Sequence, residues 1–285
     1  MVRASVFSQE TGGHAWEMAF RDPPASVRPH VREYCGYTEA TPAALRRHEF
    51  PVPRVVAIFE IGPPLRLIDL GNQSRVTSYQ AGFAAGMGDV TSLTEHDGFQ
   101  QGMEVKFTPI GARLFFDLPM AELANQVVGL DEVLGQAGRD ICARLREAPD
   151  WDARFDLLDD FIAGRIARAR ARTQPCAWAM DRIEQSGGQL DVGALARELG
   201  YSQKHLISLF RDQVGLPPKL VSRLFRFERV MQHLRSGAPV SWAEVAADCG
   251  YYDQAHLIRD VRQFTGTTPT GARALVGDLA LLPAA

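Results

Sequence analysis

The stretch LARELGYSQKHLISLFRDQVGLPP (195–218) returns, altered, as VAADCGYYDQAHLIRDVRQFTGTTP (245–269). Up to the turn the offset is 50, so Ala196 matches Ala246, Gly200 matches Gly250 and Tyr201 matches Tyr251. The second copy then carries one extra residue, and the offset becomes 51. Gln203 now pairs with Gln254, His205 with His256, Leu206 with Leu257, Arg211 with Arg262 and Pro218 with Pro269. One supersecondary unit thus occurs twice.

Each copy has the logic of a helix-turn-helix. A short helix carries a small residue, Ala196 or Ala246, where a second helix must cross closely. Gly200 or Gly250 then supplies the tight turn, because glycine enters the left-handed region cheaply. Ser202 and Asp253 stand where an N-cap is expected for the second helix. That helix has an apolar side (Leu206, Leu209 and Phe210; Leu257 and Val261) and a polar one. Gly and Pro stop it in both copies. Between the copies, PPKLVSRLFRFERVMQHLRSG (217–237) reads as one helix striped by Leu220, Leu224, Phe227, Val230, Met231 and Leu234. A rigid connector fixes the spacing of two reading helices, and about 34 Å would admit both to successive major grooves.

Residues 177–275 resemble the C-terminal DNA-binding domain of the AraC/XylS family of bacterial transcription regulators. The resemblance rests on GYYDQAHLIRDVRQFTGTTPTGAR (250–273), on the first copy, and on Arg223, Arg226 and Arg229 in the connecting helix. Val261 stands where that family usually has phenylalanine, and Asp260 beside Arg259 departs from its pattern. The resemblance implies base contacts from Gln203, Lys204 and Ser208 in the first reading helix and from Gln254, Ala255 and Arg259 in the second. Gln suits adenine, Arg suits guanine and Ala meets a thymine methyl. Arg211, Arg223, Arg226 and Arg262 suit phosphate, which positions without specifying. An intramolecular ion pair is the competing role for each of those four. His205 and His256 recur one residue before a buried leucine, which fits a helix-packing role.

The first half reads as strands: VPRVVAIFEI (52–61), PLRLIDL (64–70), RVTSYQAGFAAG (75–86) and FQQGMEVKFTPI (99–110), punctuated by Gly and Pro. Such spacing predicts an antiparallel barrel or sandwich. ASVRPHVREYCGY (25–37) fits strand or helix equally. After Phe116 the spacing turns helical, with Leu157, Leu158, Phe161, Ile162 and Ile166 recurring at three- and four-residue intervals. The run ends in Arg165, Arg168, Arg170 and Arg172, best read as a solvated helix end that the helix dipole favours. The expected architecture is α+β and multidomain. A mostly-β barrel or sandwich with following helices spans 1–173, and an all-α domain with two helix-turn-helix units spans 174–285.

The segment GMEVKFTPIGARLFFDLPMAELANQVVGLDEVLG (102–135) is similar to the N-terminal domain of a subset of the same family. That resemblance implies a module that senses a small-molecule effector, dimerises, or both. Phe59, Tyr79, Phe83, Met103 and Phe107 are the inward-facing candidates for an effector inside a barrel, with ordinary core packing the simpler role.

Composition sets limits. The chain has 285 residues and a net charge of −3, so no global nucleic-acid signature exists. Residues 174–285 hold 12 Lys+Arg against 11 Asp+Glu, leaving 19 against 23 in the first 173. No apolar run approaches the roughly 20 residues of a membrane span, and MVRASVFSQETGGHAWEM lacks the apolar block of a signal peptide, so a cytoplasmic location is expected. Cys35, Cys142, Cys176 and Cys249 form no C-x-x-C pair and read as buried free thiols, with Cys35 the one sensor candidate. An enzyme reading, such as a metal-dependent cupin, finds no H-x-H among His14, His30, His48 and His96. His96 lies in a local acidic cluster with Glu95 and Asp97, expected on a loop. No catalytic residue, metal or cofactor is therefore expected. The expected partners are double-stranded DNA, a small-molecule effector, a second copy of the chain and, for an activator, RNA polymerase. The alternative keeps DNA binding and makes the first half a ligand-free dimerisation module.

Overall fold

The computed structural model describes residues 3–70, 75–169, 173–236 and 241–277. The N-terminal part has eleven strands among these residues: β1 (Ser5–Thr11), β2 (His14–Phe20), β3 (Val31–Ala40), β4 (Leu45–Glu49), β5 (Val55–Glu60), β6 (Arg66–Ile68), β7 (Val76–Ser78), β8 (Phe83–Ala85), β9 (Ser92–His96), β10 (Phe99–Phe107) and β11 (Val127–Gly129). They form a seven-stranded sheet in the order β1-β2-β3-β10-β5-β8-β11 and a four-stranded sheet in the order β4-β9-β6-β7. The sheets do not close into a barrel, and a sandwich describes them.

Strand alternation gives the large sheet two different faces. Val55, Ala57 and Phe59 of β5 join Met103, Val105 and Phe107 of β10 and Tyr34 of β3 in the main core. Helix α4 (Trp151–Arg168) contributes Phe155, Leu158 and Ile162 to that core, each fully buried. Burying side chains of this size contributes about 1.5–3 kcal/mol apiece. The opposite face of β5, with Val56 and Ile58, joins Phe83, Leu65 and Leu67 in a smaller cluster toward the second sheet.

Helix begins earlier than the spacing after Phe116 suggested. Thr108 caps α1 (Pro109–Phe116), accepting from the Gly111 amide, and Pro109 occupies the first turn, where its missing N–H costs nothing. A 3-10 turn (Met120–Glu122), α2 (Leu130–Leu134) and α3 (Gln136–Glu147) follow. The short strand β11 interrupts the region read as helical, because Val127–Gly129 pairs with β8. The undecided segment 25–37 enters β3, and β1, β2, β4 and β9 lie outside the four stretches read as strands. Arg165 turns inward and donates to the Phe115 carbonyl at 2.6 Å, Arg168 is exposed, and Arg170 and Arg172 lie outside the described residues.

The C-terminal helices are α5 (Gln174–Gln185), α6 (Val192–Glu198), α7 (Gln203–Gln213), α8 (Pro218–Arg235), α9 (Trp242–Asp248), α10 (Gln254–Thr265) and α11 (Pro269–Gly277). Among the described residues, no helix is long and apolar enough to cross a membrane.

The two halves touch directly. Arg32 and Arg54 both pair with Glu184 of α5, at 2.5 and 2.9 Å. Arg54 also lies over the Phe225 ring of α8. All four cysteines are free and buried, and burial with nearby carboxylates raises the Cys35 thiol far above its ordinary range. That environment suits an inert thiol rather than a sensor.

Candidate nucleic-acid interface and inter-sheet cleft

The two helix-turn-helix units are α6–α7 and α9–α10. Gly200 and Gly250 hold φ of +69° and +75°, the left-handed turn that the repeat demands. Ser202 accepts from the His205 amide at 3.2 Å and Asp253 from the His256 amide at 2.7 Å, capping both reading helices as the sequence indicates. Tyr201 meets the His205 ring edge-on at 4.6 Å, and Tyr251 meets His256 in the same way at 5.2 Å. The histidines therefore pack against the turn. These two ring pairs also locate the extra residue of the second unit, which is Tyr252. It is 94% exposed and immediately precedes the α10 cap. The sequence reading passed over it, although the change of offset pointed to this position.

Gln203, Lys204, Ser208 and Arg211 are exposed on α7, as are Gln254, Ala255, Arg259 and Arg262 on α10. The connecting helix α8 has 18 residues, which makes it about 27 Å long at 1.5 Å per residue. Two of its arginines, Arg223 and Arg226, are engaged within the protein. Arg223 forks onto Asp260, with Nη2 to Oδ1 at 2.8 Å, and also donates to Gln263 at 2.6 Å. Arg226 donates to the Gly188 carbonyl at 2.8 Å and lies over the Tyr251 ring. The departure at Asp260 thus has a structural partner, and Arg223 and Arg226 orient α10 from behind.

The N-terminal domain reaches both reading helices. Thr91 Oγ1 donates to the Phe264 carbonyl at 2.8 Å, and Gln263 donates to Asp89 at 3.0 Å. Gly215, just beyond α7, packs against the Met120 carbonyl. Segments 86–91 and 120–126 are joined to each other: Asn125 donates to the Met87 carbonyl at 3.0 Å, and its side chain accepts from the Asp89 amide at 3.1 Å. The first segment continues β8 and the second leads into β11.

The five effector candidates divide between two places. Phe59, Met103 and Phe107 are fully buried on the helix-covered face, where Phe107 stacks on Phe115 at 4.7 Å. Tyr79 and Phe83 belong to the cluster between the sheets, and Tyr79 donates to the Val127 carbonyl at 3.0 Å. Because the sheets do not close, no single barrel interior gathers all five.

The face toward the second sheet carries polar residues beside that apolar cluster. Register places Tyr37, Gly102 and Glu60 side by side across β3, β10 and β5. The next row on that face is Cys35, Glu104, Ile58 and Phe83. The Tyr37 ring crosses the space above Gly102, where a Cβ would fall 2.6 Å from its hydroxyl. From the second sheet, Thr94 donates to Glu49 at 2.9 Å. Glu60 is fully buried; Oε1 accepts from the Leu65 amide, and Oε2 has no partner among the described residues. The Tyr37 hydroxyl is likewise unpartnered. Burial pushes the Glu60 carboxyl up to about 7. Desolvation also raises Glu49, although that side chain is exposed. Lys106 is 32% exposed and Glu104 28%. Glu49, Glu104 and Lys106 keep solvent-accessible side chains on the facing sides of the two sheets, beside the buried Glu60 and the Tyr37 hydroxyl, and this space is the inter-sheet cleft.

His96, Glu95 and Asp97 differ from expectation. His96 ends β9 rather than lying on a loop, buried 3.3 Å from Glu39, while Glu95 and Asp97 both pair with Arg66. Among the described residues, no group of three or more His, Cys, Asp or Glu is arranged to hold a metal ion.

A family model described as a helix-turn-helix domain matches residues 195–274. No curated protein matches the chain significantly. Among solved structures, the chain is similar to ToxT from Vibrio cholerae O395, with 11% identity, 82% of this chain and 96% of that chain covered, and a TM-score of 0.45. It is similar to unsaturated fatty acid bound wild-type ToxT from Vibrio cholerae strain SCE256, with 9% identity, 83% and 96% coverage, and a TM-score of 0.47. It is also similar to the AraC-like transcriptional activator CuxR, with 16% identity, 82% and 88% coverage, and a TM-score of 0.31.

Proposed function

Residues 195–274 being a helix-turn-helix domain of the AraC type, we propose that this chain regulates transcription from specific DNA sites in response to a small-molecule effector bound by its N-terminal domain. The observation that carries the DNA reading is the repeat itself. Two capped reading helices present exposed polar side chains, and one continuous helix links their units. In this reading Gln203, Lys204, Ser208, Gln254, Ala255 and Arg259 face base edges, and Arg211 and Arg262 face phosphate.

The effector reading is supported by the path between the sheets and the reading helices. Phe83 and Val127 belong to the inter-sheet cluster. Their strands, β8 and β11, adjoin the segments that hold α10 and the end of α7. A ligand that shifted β8 against β11 would move both contacts together. Its leverage is limited to its differential affinity for the two arrangements.

Selection of bound duplexes from a random pool, with and without cell extract, tests both parts. A recurrent paired half-site is expected, with its recovery altered by extract. Recovery of no preferred sequence would overturn the DNA reading. A preference indifferent to extract would count against the effector.

A second reading, in which the N-terminal domain pairs two copies, is favoured by β1. This strand forms one edge of its sheet, and all seven residues are exposed, Val6 and Phe7 at 49% and 53%. Sedimentation of the chain with and without residues 1–12 distinguishes a dimer built on that edge.

A further inference from the structure

We propose that the cleft between the two sheets binds a small organic cation with an apolar body, its charged head held by Glu60 and Glu49 beside the Tyr37 hydroxyl. The proposal gives a ligand class to the effector site argued above and rests on that reading.

Three observations carry it. First, the cleft has unused polar capacity: Glu60 Oε2 and Tyr37 Oη are buried without partners among the described residues. A buried acceptor left unmatched is costly, so a donor that reaches it gains more than it would in water. Second, the charge is one-sided. Lys106 is paired with Glu33 and Glu104, at 2.5 and 3.0 Å. Arg47 is paired with Glu39. Glu60 and Glu49 have no ion-pair partner among the described residues; Glu60 accepts only from a backbone amide and Glu49 from the Thr94 hydroxyl. Arg146 is near enough to favour the Glu60 carboxylate, but its guanidinium is spent on the Ile61 and Gln80 carbonyls. An anionic ligand would meet these carboxylates, whereas a cation would neutralise them. Third, the polar row adjoins an apolar one. Ile58 follows Glu60 on the same face of β5, and Phe83 and Leu65 pack with it. A head-and-body ligand of this polarity fits both rows.

The occupant's position also links it to the reading helices, since Phe83 lies on β8, whose continuation contacts α10.

The test uses the full chain and three probes of similar size: 2-phenylethylamine, the anion 3-phenylpropanoate and the neutral 3-phenylpropan-1-ol. At saturation the amine is expected to raise the melting temperature by about 2–4 °C and the anion to leave it unchanged. Calorimetric affinity for the amine should fall about tenfold in Glu60→Gln, the loss expected for one charge-assisted contact. Glu49→Gln, whose amide oxygen can still accept from Thr94, should weaken it as well. Binding of the anion or alcohol in preference to the amine would overturn the ligand class and leave effector sensing standing. Amine affinity unchanged in both variants, or no binding by any probe, would overturn the site. Amine binding that left DNA affinity untouched would sink the sensing reading while the site stood.

Discussion

Gln263, in the last turn of the second reading helix, donates through Nε2 to Oδ2 of Asp89 in the N-terminal domain at 3.0 Å. One residue further, the Phe264 carbonyl accepts from the buried Thr91 hydroxyl. The helix proposed to enter DNA is thus held at its far end by the domain proposed to sense an effector. Thr91→Val keeps the shape and removes the donor, at a cost of about 1 kcal/mol. Amide exchange in the last turn of α10 is expected to speed up while α5 stays protected. Unchanged protection would show that this contact does not couple the two halves.

Arg259 is exposed on α10, and its one hydrogen bond among the described residues is a long one to the Ala255 carbonyl at 3.4 Å. It is free to reach a guanine edge. Arg259→Ala is predicted to cost about 1–3 kcal/mol on the selected site and to relax preference at one base pair. Equal loss on selected and random duplexes would reduce Arg259 to a phosphate contact.

Tyr252 is 94% exposed, so Tyr252→Ala should change stability by less than about 0.5 kcal/mol. Its place before the α10 cap puts the ring beside the helix end that would enter the groove. We expect weaker binding to the selected site, and a smaller penalty in the variant than in the wild type when thymines there are replaced by uracil. Identical uracil penalties would remove the ring from the base-reading surface.

Asp260 has a side chain only 5% exposed and answers Arg223. Breaking such a pair leaves a largely buried guanidinium with no counter-charge and Gln263 as its remaining acceptor, so Asp260→Ala should destabilise the chain by about 3 kcal/mol. Chemical denaturation measures it. The double replacement of Arg223 and Asp260 by apolar residues should recover most of the loss.

Glu60 sets a pH dependence. Burial raises its carboxyl from 4.5 to about 7, so between those values the folded chain keeps a proton that the unfolded chain has released. Stability therefore falls as pH rises through that window, by roughly 3 kcal/mol at most, and levels off above it. Glu39 acts in the opposite sense. Burial alone would raise it, but His96, Arg47 and Gln100 outweigh that and hold it at about 2. Its contribution is present above 4.5 and lost as pH falls through about 2. Glu60→Gln should flatten the decline between 4.5 and about 7. A slope identical to the wild type would assign the titration elsewhere.

Much of the C-terminal architecture was legible in the chain. Ser202, Gly200, Asp253 and Gly250 act within a few residues of themselves, and caps and left-handed turns are local chemistry. The connecting helix was legible for the same reason, since its apolar stripe repeats at helical spacing. The N-terminal strands were only partly legible. The wholly exposed β1 carries no burial signal, and three-residue strands such as β8 and β11 are defined by their pairing partners.

The sequence by itself determined that two like helical units flank one rod, because repetition and caps are properties of neighbouring residues. Tertiary structure alone decided which arginines are engaged within the protein, since Asp260 and Gly188 claim Arg223 and Arg226. It also decided that Phe59 and Met103 lie under helices while Glu60 and Tyr37 face the second sheet. The physical reason is strand alternation: one residue of register sends a side chain to the opposite face, and only the pairing of distant strands fixes which face meets which layer.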